Sequence, residues 1–137
     1  DIISIHAENS NVETGLDRIM SRGLAAGLVL QLHTPIDSVA AYLNRLAMLT
    51  LLGTKLGIKG VGLELAAEAR LVEARKMIAQ SASEDRTLLA ADGGIREHTV
   101  PGLRRSGAET IVMGSLAFGA QDLAARMKWV HALPGPD

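Results

Sequence analysis

Short apolar runs alternate along this chain with stretches in which apolar residues recur every three or four positions. Ile2-Ile3-Ser4-Ile5-His6 is rich in β-branched residues and predicts a strand. Asn9, Ser10 and Asn11 offer N-caps, and Val12, Leu16, Ile19 and Met20 mark a helix that Gly23 can close. Gly27 to Leu32 is a second apolar run. Thr34-Pro35 predicts a capped helix with Pro at its first position, and Ile36, Val39, Ala40 and Leu43 form its stripe. Leu46 to Leu52 predicts a third strand, and Gly53 to Gly62 is a long loop punctuated by glycine. Glu64 to Gln80, rich in Ala, Leu, Glu, Arg and Lys, predicts the strongest helix. Ser81 to Asp85 is a polar connection, and Thr87 to Ala91 is a fourth strand ending at Asp92. Val100 and Leu103 mark a short helix that tolerates Pro101 only in its first turn. Thr110 to Met113 is a fifth strand, closed by Gly114-Ser115, and Leu123, Met127 and Val130 predict a last helix.

A strand followed by a helix, five times over, predicts parallel βαβ units. The runs are apolar on both faces, as a sheet covered by helices requires. The step that holds the glycine loop is longer than the others, and extra length at a strand's carboxyl end is where a site is built. Two architectures fit. An open doubly wound sheet suits the 137 residues. The last five units of an eight-unit TIM-type (β/α) barrel, about 250 residues when complete, suit the motifs below. On that reading residues 1–133 are a partial barrel and 134–137 a tail.

Composition narrows the function. The chain is 47% hydrophobic with one Trp, one Tyr and one Phe, so its core is aliphatic. A net charge of -1 gives no basic field for nucleic acid or an acidic membrane. With no cysteine there is no disulfide scaffold, thiol nucleophile or cysteine zinc site. No apolar run is long enough to span a membrane, and Asp1 leads into a strand-like run rather than a signal peptide. A cytoplasmic location is expected. Without an initiator Met, the chain is expected to belong to a longer protein. Five units leave open sheet edges, so association into a homo-oligomer is expected too.

The chemistry gathers late in the chain. Leu89-Ala90-Ala91 delivers Asp92 to a strand tip, and Gly93-Gly94-Ile95-Arg96 turns away from it. Carboxyl ends of parallel strands are where ligands sit. An acid that merely opens a turn is the ordinary alternative. One unit later, Gly114-Ser115 precedes a possible short helix, Ser115-Leu116-Ala117-Phe118, whose first amides suit a phosphate. An ordinary Gly-Ser loop is the alternative there. His6 ends a strand and could touch substrate or be a hydrogen-bonded structural residue. His98 is expected at the surface, His131 in a structural role, and Arg104-Arg105 on a solvated helix face. Scattered histidines without cysteine do not make a metal motif.

Ile3-Ser4-Ile5-His6-Ala7-Glu8, Thr34-Pro35, Asp92-Gly93-Gly94-Ile95 and Gly114-Ser115 stand in the order and spacing of the ribulose-phosphate 3-epimerases. The chain resembles that family from its fourth strand to its eighth helix. The resemblance implies an isomerase acting on a small phosphorylated ketose, ribulose 5-phosphate to xylulose 5-phosphate. Two acid/bases work on opposite faces of a carbon beside a ketone, and a divalent cation of Zn, Fe, Mn or Co type stabilises the enediolate. Asp92 matches the family's strand-seven aspartate, one acid/base and one metal ligand. Gly93, Gly94, Gly114 and Ser115 match phosphate and substrate contacts.

There are departures. The family's strand-six loop usually reads Asn-Pro-Gly-Phe-Gly-Gly-Gln, and here Lys55-Leu56-Gly57-Ile58-Lys59-Gly60-Val61 stands in its place. Gly57 and Gly60 keep matching positions as substrate contacts. Lys59 replaces a glycine and either faces the phosphate or is solvated. His33 stands where a small residue is usual. A hexulose-phosphate (allulose 6-phosphate type) 3-epimerase and a non-catalytic phosphate-binding barrel module are the alternatives. The other metal ligands and the second acid/base belong to family strands that this chain does not contain.

Overall fold

The protein is described by a computed structural model covering residues 1–81 and 87–137. The polar connection predicted from Ser81 to Asp85 lies outside the described residues from position 82 onward. Strands β1 (Ile2–His6), β2 (Ala25–Leu30), β3 (Leu46–Leu52), β4 (Leu88–Asp92) and β5 (Thr110–Ile111) alternate with helices α1 (Val12–Met20), α2 (Ala67–Gln80), α3 (Val100–Ser106), α4 (Ser115–Phe118) and α5 (Leu123–His131). A 3-10 segment, Ile36–Arg45, lies between β2 and β3.

All neighbouring strands pair in parallel, and their spatial order is their chain order, β1-β2-β3-β4-β5. A doubly wound sheet reverses its strand order at a switch point. Here nothing reverses. Crossovers of one hand then carry every helix to the same side, which is the winding of a (β/α) barrel, and the chain forms five units of one.

Side-chain alternation sorts the two faces. Ala26, Leu28 and Leu30 of β2, Leu49 and Leu51 of β3, and Leu89 and Ala91 of β4 join Leu16, Val39, Leu71, Ala74 and Leu103 in one aliphatic core. Gly27, Thr50, Ala90 and Asp92 fall on the opposite face, the inner side of a barrel. Edge strand β1 has neighbours on one side only, and Ile2 and Ile3 are exposed there.

Several predicted boundaries move, each for a traceable reason. β2 ends at Leu30 rather than Leu32 because the Gln31 amide donates to the Glu8 carboxylate at 2.7 Å. Thr34 caps no helix: its hydroxyl donates to the same carboxylate at 2.6 Å. Pro35 holds the position before the first turn, and the segment that follows is 3-10. Three residues per turn bring Ile36, Val39 and Tyr42 into line. Tyr42 therefore packs partly against the core, and Ala40, predicted in the stripe, is exposed. Arg45 ends this segment and pairs with Glu13 and Asp17, one turn apart on α1.

α2 begins at Ala67 rather than Glu64, and the Glu64 amide donates to the Gly53 carbonyl at 2.9 Å. Thr87 precedes β4 instead of opening it, and its buried hydroxyl donates to the carbonyls of Leu43 and Leu46. β5 stops at Ile111, two residues short of the predicted end. The stripe of α5 is looser than its spacing suggests: Leu123 is exposed, and Trp129 rather than Leu123 packs on the core.

Candidate functional site

Asp92 is the last residue of β4, level with Leu52 on β3. Its carbonyl accepts the Gly53 amide at 2.7 Å, so the loop after β3 is tied to the tip that bears the acid. One residue on, two glycines bring the loops after β3 and β4 together. A Cβ at Gly94 would stand 2.8 Å from Leu63 Cα, and Gly94 has φ +69°. At Gly53, a Cβ would stand 2.8 Å from the Gly93 carbonyl oxygen. Close packing of backbone on backbone therefore accounts for Gly94, independently of any ligand. Thr99 finishes the turn, its hydroxyl donating to the Gly94 carbonyl at 2.7 Å and accepting the Arg96 amide at 2.9 Å.

Gly114 is different. A Cβ there would meet nothing within 4 Å. It immediately precedes α4, where Ala117 and Phe118 both donate to its carbonyl at 3.1 Å. Ser115 and Leu116 are thus the first-turn amides with no partner inside the helix.

Asp92, Gly93, Gly94, Gly114 and Ser115 line one cleft of about 630 Å³, with Gly60, Lys59 and Arg96 on its wall. The carboxyl ends of β4 and β5 and the glycine loop after β3 thus converge, as the sequence predicts. Gly57 does not line this cleft; it stands exposed with φ +79° and open space around it. Lys59 is exposed and within the cleft at once. His98 is at the surface as expected. His131, expected in a structural role, is exposed at the end of α5. Arg104 is not simply solvated: it is half-buried and donates to the Ala108 carbonyl at 3.1 Å, while Arg105 is exposed.

A second polar cluster, not anticipated from the sequence, lies at the ends of β1 and β2. Glu8 accepts the Gln31 amide and the Thr34 hydroxyl, while Arg70 of α2 donates to the carbonyls of the same two residues at 3.0 and 2.8 Å. Acid and base thus grip the loop from both sides. Burial opposes ionisation of Glu8, yet the bonds from Thr34 and Gln31, with His6 nearby, hold its carboxyl below the ordinary glutamate range. Burial pushes the Arg70 guanidinium below its usual range, against the pull of Glu73 and Glu8. His6 Nδ1 lies 3.8 Å from Glu8 and has no hydrogen-bond partner among the described residues. The signal was the separation of Glu8 from Thr34, which only parallel pairing of β1 with β2 turns into proximity.

A pH dependence follows. The folded carboxyl of Glu8 holds its proton less tightly than the unfolded one, so its contribution is complete above the ordinary value of 4.5 and is lost as the pH falls through the lower folded value. Solvent screens this exposed group, which limits the effect to roughly 1 kcal/mol or less. Glu8→Gln is expected to flatten the acid side of the stability profile, measured by denaturant melts across the acidic range. An unchanged profile would show that the grip on the loop does not depend on charge.

Among the described residues no three His, Cys, Asp or Glu side chains group closely enough to hold a metal ion. Asp92 can supply one carboxylate, so these residues do not make a metal site by themselves. Among the described residues no helix is long and apolar enough to cross a membrane.

Winding and cleft together define a parallel (β/α) barrel segment with an acid and free amides at one rim. Residues 1–118 match the ribulose-phosphate 3 epimerase family, and the chain belongs to that family. It is 28% identical over 123 residues to the ribulose-phosphate 3-epimerase of Bacillus subtilis, covering 89% of this chain and 56% of that one. With ribulose-phosphate 3-epimerase 2 of Cupriavidus necator the identity is 33%, over 89% of this chain and 52% of the relative. The chloroplastic ribulose-5-phosphate-3-epimerase of Arabidopsis thaliana is 27% identical, over 99% and 49%. The chain spans about half the length of the curated relatives it matches. A solved 3-hexulose-6-phosphate synthase shares the fold, with a TM-score of 0.63 at 17% identity over 97% of this chain and 61% of that one.

Proposed function

We propose that this chain carries one acid/base and the phosphate-binding rim of a sugar-phosphate 3-epimerase that interconverts ribulose 5-phosphate and xylulose 5-phosphate. The observation that carries the reading is the shared cleft: Asp92 and the Gly114-Ser115 amides line the same space at the carboxyl ends of β4 and β5. Asp92 alternates onto the inner side of the sheet, away from the aliphatic core. There a ketose phosphate bound at Gly114 and Ser115 can offer its carbon chain to the carboxylate. The C3 proton passes to an Asp92 oxygen while its electron pair moves into the neighbouring carbonyl, giving an enediolate. A proton returned to the opposite face inverts the carbon, and the group that returns it lies outside this chain. A divalent cation belongs to this reading only through the Asp92 carboxylate, its further ligands also coming from outside. A cytoplasmic homo-oligomer completes the proposal.

The test is isotopic. The intact protein, incubated with ribulose 5-phosphate in deuterated water, is expected to yield xylulose 5-phosphate with deuterium at C3, read by NMR. Binding without exchange would assign the chain to a non-catalytic phosphate-binding module instead. Exchange restricted to allulose 6-phosphate would move the substrate to the hexulose series.

A further inference from the structure

Two cations in the cleft play no part in the proton transfer proposed above. Lys59 reaches it from the loop after β3, and Arg96 from the turn after β4. Both residues are exposed, and among the described residues neither is paired with a carboxylate. Arg96 Nη1 donates to the Ile95 carbonyl at 2.9 Å, which anchors its guanidinium beside the cleft. Asp92 is the one acid among the lining residues, so the ionised side chains there sum to a net positive charge. Aliphatic side chains, Ile58, Val61, Ile95 and Val112, make up the apolar part of the wall. A ligand that suits this lining carries an anionic group at one end and a short uncharged chain at the other.

Resting on the epimerase reading, we propose that Lys59 is a specificity-determining residue, its ammonium taking the substrate phosphate together with Arg96 and the amides at Gly114-Ser115. The amides supply directed hydrogen bonds, and the lysine adds a mobile point charge. Because Lys59 is solvent-exposed, its share of the affinity is screened by salt, whereas the amides' share is much less so. The share of phosphate affinity that Lys59 supplies therefore fades as ionic strength rises.

Calorimetric titration of the intact protein with inorganic phosphate and with ribulose 5-phosphate, at low and high salt, tests the assignment. Lys59→Gln is expected to weaken both ligands about tenfold at low salt and to flatten the salt dependence, while Lys59→Arg keeps both. Circular dichroism should be unchanged, since the side chain is exposed. Affinity and salt dependence that Lys59→Gln leaves at wild-type values would overturn the proposal. Gly114→Val, titrated alongside, separates the two readings. If only Gly114→Val weakens binding, the phosphate site stands and the role of Lys59 falls. If only Lys59→Gln does, the lysine assignment stands and the amide site of the epimerase reading falls. If neither does, both fall.

Discussion

Asp92→Asn in the intact protein is expected to lower epimerase turnover by about 10³-fold while phosphate-ligand binding stays within a few-fold of wild type. Asparagine has nearly the same shape, and it leaves untouched what the backbone of residue 92 does. The Asp92 carbonyl still accepts the Gly53 amide, and β4 still pairs with β3 level with Leu52. What is lost is a group able to take a carbon-bound proton and hand it back. The loss should therefore fall on kcat rather than on affinity, and the melting temperature should hardly move. Deuterium incorporation at C3 should fall in parallel with turnover. A variant that epimerises at near-normal rate would remove Asp92 from the proton path, whatever its position in the cleft.

The unit count and the strand tips were legible because both follow from local pattern. An apolar run ending in Asp92 and a glycine pair predict a strand delivering an acid, and β4 does end there. The choice between the two windings was legible only through the motifs at Asp92-Gly93-Gly94 and Gly114-Ser115, which favour the barrel, and not through the alternation itself. It is a property of strand order, and a doubly wound sheet and a barrel segment use the same strand-helix alternation. Pairing of each strand with its predecessor bears out the barrel. The polar grip of Glu8 and Arg70 on residues 31 to 34 was hidden for a related reason: its members are distant in sequence and meet only after two βα loops and α2 come together. Thr34-Pro35 then misled in an instructive way. Its composition is that of a helix start, but the Glu8 carboxylate claims the threonine hydroxyl first.

Of the glycines singled out as ligand contacts, two that read alike in sequence are expected to respond in opposite ways. Gly94→Ala should destabilise the fold by about 2–4 kcal/mol. Its φ of +69° is one an L residue enters at a cost, and the new Cβ would sit 2.8 Å from Leu63 Cα and 2.9 Å from Leu63 Cβ, where backbone must move. Leu63 cannot simply swing aside, because the neighbouring Glu64 amide is held by the Gly53 carbonyl. Gly114→Ala should cost less than about 1 kcal/mol, since its Cβ enters open space. Gly114 also lines the cleft, so the same substitution should weaken phosphate binding. Denaturant midpoints and phosphate titrations on the two variants read this contrast directly. Equal stability losses would mean that the loop after β3 does not rest on Gly94 as described. Tight phosphate binding by the Gly114 variant would mean that the anion sits elsewhere on the rim. The same dipeptide chemistry thus serves two ends here: one glycine lets two loops touch, and the other keeps a place clear for a ligand.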